Sequence, residues 1–139
     1  MAQFVIYGHA AALRPRITSL SDAVHEAAVS ALQLPETKRF HRFVPLDPEC
    51  FIAPPDRSQD YTIIEVSMFE GRSTATKKRL ISELFRTTSA VGLRTQDVEI
   101  TITETPRSNW GVRGVPGDEL HLTYQVEVQP AVGCRCRRT

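Results

Sequence analysis

The amino-acid sequence predicts an α/β fold built from two strand–helix–strand halves, and three observations carry that reading. Residues 61–105 supply, in order, a β-branched and aromatic run, an apolar stripe at helical spacing and an alternating run. The first half repeats this pattern at an offset of about 60 residues. The segment between the halves, 45–60, is rich in proline and aspartate and has no apolar period.

In the second half, Tyr61, Ile63, Ile64, Val66, Met68 and Phe69 place apolar residues at both parities, as expected of a strand covered on both faces. Gly71 breaks that strand. Ser73 is suited to cap a helix, because its hydroxyl can accept from the free amides of the first turn. Leu80, Ile81, Leu84, Phe85, Thr88 and Val91 recur at helical spacing, and Gly92 ends the helix. Val98, Ile100 and Ile102 then alternate with polar residues up to Pro106, so the closing strand has one face that is wet or meets a partner. A crossover of this length is expected to be parallel and right-handed.

In the first half, Phe4, Val5, Ile6 and Tyr7 predict a strand that begins at residue 2, which ties the amino terminus into the sheet. Ile17, Leu20, Val24, Ala28, Ala31 and Leu32 mark a helix over 15–32, with Pro15 tolerated in its first turn. Arg39, Phe40, His41, Arg42, Phe43 and Val44 alternate and close this half. The halves thus span about 2–44 and 61–105. Beyond Pro106, three glycines and the only tryptophan, Trp110, predict a loop with an aromatic anchor. Residues 120–128 alternate again and predict a short extra C-terminal strand. A single domain over 1–130 results, and 131–139 is expected to be a disordered tail.

A chain of 139 residues with 41% hydrophobic content can bury one core, and two domains would be too small. A net charge of +1 gives no basic field for nucleic acid beyond the local Arg135, Arg137 and Arg138. No apolar run approaches the ~18 residues of a membrane span, so a soluble cytoplasmic protein is expected. Cys50, Cys134 and Cys136 are odd in number and fit reduced thiols. The four histidines have no metal spacing, and no phosphate loop or dinucleotide fingerprint is present, so no metal and no cofactor is expected.

The strand starting at residue 2, Leu34-Pro35, Arg39-Phe40, Leu46-Asp47-Pro48-Glu49, Pro54-Pro55-Asp56, Gly71-Arg72-Ser73 and Asn109-Trp110-Gly111 occur in an order and spacing that resembles the tautomerase superfamily. The likeness is to its longer members, which include malonate semialdehyde decarboxylase and cis-3-chloroacrylic acid dehalogenase, and it covers roughly residues 2–115. It implies a four-stranded sheet with both helices on one face, and a homotrimer joined through the open sheet faces. Helix stripes of this kind cover only one face, so the other needs a cover. The resemblance further implies chemistry at an amino-terminal proline exposed when the initiator methionine is removed. Here that position is Ala2, which would offer a primary amine.

On this resemblance Ala2 and Arg72 are the expected catalytic residues. Arg72, Lys38, Arg39, His41 and Trp110 are expected to bind the substrate, a small 2-keto or enol carboxylic acid. Arg72 adjoins a helix N-terminus and can grip a carboxylate in bidentate fashion. Two departures bear on the chemistry. Lys38 stands where the decarboxylase carries an aspartate that helps activate water, and Glu70 stands where a second arginine would be. The expectation is a tautomerase-like isomerase or lyase of weak or altered activity. Its alternative is a trimer that has lost the chemistry and binds a small acid or a protein partner.

Overall fold

The computed structural model describes residues 1–124 and 126. The expected tail, 131–139, with its cysteines and arginines, lies outside them. A four-stranded sheet runs in the order β2-β1-β3-β4. Strand β1 (Ala2–His9) pairs in parallel with β2 (His41–Leu46), and β3 (Thr62–Phe69) pairs in parallel with β4 (Val98–Thr105). The two inner strands, β1 and β3, are antiparallel. Val5 faces Glu65 in that register, and these positions are related by the repeat of about 60 residues, so the pseudo-two-fold axis passes between them.

Two long helices, α2 (Ile17–Leu32) and α3 (Thr74–Ala90), pack on each other and on one sheet face. A short turn of helix, α1 (Ala10–Leu13), and a 3-10 turn (Arg14–Arg16) precede α2, so Pro15 sits before the regular helix rather than inside it. Gln33, in the left-handed region at φ 53°, ends α2. Ser73 caps α3 by accepting from the amide of Thr76 at 3.1 Å. Gly92, at φ 97°, ends the chain's turn away from α3.

Cross-strand rows explain the two faces. Phe43, Ile6, Ile64 and Ile100 form one row against the helices, and Phe4, Val66 and Ile102 belong to the next. With Leu20, Val24, Ala28, Leu80 and Leu84 they make a single core. The opposite face carries Arg42, Val5, Glu65 and Thr101 in one row and Val44, Tyr7, Ile63 and Glu99 in another. It mixes charge with half-buried aliphatic groups, so β3 is covered on one face, not both.

The connection 45–60 is tied to the edge of the second half. Asp97 is fully buried and accepts from the Ser58 amide at 2.7 Å and its hydroxyl at 2.6 Å, while Arg57 pairs with Glu99 at 2.9 Å. After β4, a hairpin of β5 (Gly111–Val112) and β6 (Val115–Pro116) forms a small antiparallel sheet. Of the extra strand expected at 120–128, the described part, 120–124, is irregular. The short pairing lies upstream, where Arg113 and Gly114 can make a two-residue turn.

Leu84 has no exposed surface, so Leu84→Ala should cost about 2–5 kcal/mol in denaturant unfolding, and a loss below about 1 kcal/mol would mean that the site collapses around the cavity. Ser73→Ala should cost about 1 kcal/mol through the lost cap.

Candidate active site

The β1–β3 ladder extends one residue beyond Ala2. The Phe69 amide donates to the Met1 carbonyl at 3.2 Å, and Met1 and Ala2 are both buried. The amine of Met1 is therefore drawn into the protein at the end of the sheet. Burial, which disfavours the ammonium, lowers its pKa from 8.0 to about 5, and the positive charges of Arg72, Arg107 and Lys38 push in the same direction. The amine is neutral at pH 7. While Met1 is in place, the nitrogen of Ala2 is a peptide nitrogen and holds no base.

A cavity of about 40 Å³ adjoins Met1 and is lined by Lys38, Arg113 and residues 121–124. Such a void holds about one water molecule. Tyr124 forms part of its wall and packs on the core, and the charges of Arg72, Arg107 and Arg113 act on its phenol. Cations thus converge on the amine from three segments, the loop before β2, the β3–α3 turn and the turn after β4, while Arg113 of the hairpin lines the cavity beside it.

Arg72 is 8% exposed, and its Nη1 donates to the Leu32 carbonyl at 2.8 Å. That carbonyl is the last of α2, so the guanidinium also serves a helix terminus that lacks intrahelical donors. Arg107 lies over the Phe69 ring at 5.5 Å. Arg113 has φ 51° and precedes Gly114 at φ 84°, the signs that a type I′ hairpin turn requires and that a side chain with a Cβ resists.

The other expected site residues lie elsewhere. Trp110 donates from Nε1 to Thr105 at 2.7 Å and packs edge-on against Phe69, with Gly117 closing on it. It lines an open groove along the hairpin and not the Met1 cavity. Arg39 pairs with Asp22 at 2.6 Å on an exposed flank of α2. His41 meets the Ser21 hydroxyl at 2.8 Å through Nδ1, and its ring lies edge-on to Phe4 and near His25. His25 donates from Nε2 to the Glu36 carbonyl at 2.7 Å. These contacts pin the start of β2 to α2. Two larger clefts, about 530 Å³ beside His25 and Arg39 and about 360 Å³ beside His41, are open grooves whose lining includes none of the amine's cations.

Sequence reasoning missed Arg107, Arg113 and Tyr124. The available signal was an Arg-Gly pair at a hairpin turn and two arginines flanking the Trp110 loop. Among the described residues, no group of three His, Cys, Asp or Glu is placed to hold a metal ion, and no helix is long and apolar enough to cross a membrane.

Two βαβ halves sharing one sheet, with an amine buried at the start of β1, are the architecture of a tautomerase. The chain belongs to the tautomerase family, whose model, described as "Tautomerase enzyme", matches residues 38–113. The 2-hydroxymuconate tautomerase of Comamonas testosteroni is 39% identical to it over 57 residues, which are 40% of this chain and 90% of that protein. A malonate semialdehyde decarboxylase, solved after inhibition by 3-bromopropiolate, is 30% identical with a TM-score of 0.72, covering 78% of this chain and 87% of that one. A fused 4-OT, solved as an asymmetric trimer, shares the fold with a TM-score of 0.73 at 22% identity, over 84% of this chain and 96% of that one.

Burial, then Arg39 and His25, lower the pKa of His41 from 6.5 to about 4. The folded value lies below the unfolded one, so no cost is felt above pH 6.5 and a destabilisation builds as pH falls towards 4, where the folded ring must also take up a proton. Discounted for the part exposure of the ring, it amounts to about 2 kcal/mol. Unfolding free energy should fall across that window in the parent and less in His41→Phe; parallel curves would remove the histidine as the cause. Arg113→Gly should raise stability by about 1 kcal/mol by relieving the left-handed turn, measured as a shift of the denaturation midpoint.

Proposed function

We propose that this chain transfers a proton on a small 2-keto or enol carboxylic acid, with the amino-terminal amine as base and Arg72 holding the carboxylate. The single observation that carries the reading is the buried amine at the head of β1, kept neutral by burial and by three cations. Removal of Met1 would vacate a whole residue beside a cavity of about 40 Å³ and pass the amine to Ala2. The same cations would then hold that amine neutral, and Lys38, Arg107 and Arg113 would help to attract the acid. A primary amine can also form an imine with a keto acid. Assembly as a homotrimer through the open sheet face is part of the proposal, supported by the trimer reported for the fused 4-OT.

A second reading is a non-catalytic binder of small acids. Lys38 at the place of a water-activating aspartate favours it.

Intact mass should find Met1 removed. With pyruvate and borohydride, an adduct should then appear on Ala2; a bare terminus despite measured pyruvate binding would exclude the imine route. Ala2→Pro should raise tautomerisation of phenylenolpyruvate, measured on protein shown to lack Met1. No gain in a variant shown to lack Met1 favours the binder. Sedimentation at micromolar concentration should give a trimer, and a lone monomer would remove that part of the proposal.

A further inference from the structure

Proton transfer next to a carbonyl needs a donor for the oxygen as well as a base for the carbon. The proposed base is the amine, and the arginines are the anchors of the carboxylate. Among the described residues lining the Met1 cavity, Thr123 and Tyr124 carry hydroxyl groups. Thr123 is exposed, whereas Tyr124 is half-buried and packs against the core cluster that contains Ala2. Tyr124 is thereby held by apolar packing while it lines the cavity beside Met1.

We infer that Tyr124 is a catalytic residue of this site, its phenol donating a hydrogen bond to the substrate oxygen while the amino-terminal amine moves the proton. The inference rests on the reading proposed above. In ketonisation the amine takes the proton from the enol oxygen and becomes an ammonium. The oxygen's electron pair closes the C=O bond, and the former C=C pair takes a proton at carbon from that ammonium. Tyr124 keeps its own proton throughout and offsets the charge that builds on the oxygen.

The surroundings suit this role. Burial raises the pKa of the phenol, against the opposing pull of Arg72, Arg107 and Arg113, so it remains a donor at neutral pH. Burial acts on the amine in the other sense and leaves it a base. The cavity is thus lined both by the residue that carries the amine and by a phenol that remains protonated at neutral pH, a pairing suited to acid and base roles.

The test uses Tyr124→Phe and Arg72→Ala on protein whose amino terminus has been identified by intact mass. Turnover of phenylenolpyruvate and binding of oxalate, a planar dianion resembling an enolate, are both measured, with acetate as a control carboxylate. Tyr124→Phe should lower kcat by about 100-fold with KM little changed. It should weaken oxalate by about tenfold and leave acetate unchanged. Arg72→Ala should weaken both acids. Parent-like kcat and oxalate affinity in Tyr124→Phe, with Arg72→Ala impaired, would overturn the role of Tyr124 and leave the proposed site standing. Arg72→Ala without effect on either measurement would overturn the site and Tyr124 with it. If phenylenolpyruvate is not turned over, the oxalate comparison decides in the same way.

Discussion

The antiparallel ladder between β1 and β3 is the constraint on which the rest of the molecule depends. These are the inner strands, and each carries a parallel outer strand and a crossover helix. Because the ladder begins with the Met1 carbonyl bonded to Phe69, the chain's first nitrogen cannot fray into solvent. An amine that would ordinarily be a hydrated cation is instead held where protonation is disfavoured. The fold and the proposed chemistry therefore meet in one hydrogen-bonded rung.

Arg72 connects this rung to the helical layer. One of its nitrogens serves the last carbonyl of α2, and its charge acts on the amine of Met1. A buried guanidinium is costly without such partners, and the helix end supplies an acceptor that costs nothing further to desolvate. Arg79 reaches the same end of α2, donating to Ala31 at 3.0 Å. The terminus of α2 is thus crossed by two arginines from the second half, which locks the halves together beside the site.

The hairpin after β4 brings the remaining charge at a conformational cost. A side chain with a Cβ in the left-handed region is held there by its surroundings, and Arg113 occupies it beside the Met1 cavity. Trp110 makes that placement possible: its indole is fixed by Thr105 and Phe69, and Gly117 approaches so closely that a Cβ would meet the Arg107 carbonyl at 2.5 Å. The tryptophan is the support of the loop that carries the cations, and its contribution to the site is indirect.

The sequence by itself determined the two halves, the strand beginning at Ala2, the cap at Ser73 and the stop at Gly92, because each rests on local chemistry or on a short period. It also pointed to Arg72, through a turn between a strand and a helix. What only the tertiary structure decided was which polar residues share a space. Arg39 and His41 lie within three positions of Lys38, yet alternation along the strand entry and the pull of Ser21 and Asp22 turn them to α2, while Lys38 faces the amine. Arg107, Arg113 and Tyr124 are far from Met1 in sequence and reach it because β4 ends beside the start of β1's ladder and the chain folds back over it. Proximity of that kind has no sequence period, so the amine's cation nest and its phenol became visible only in three dimensions.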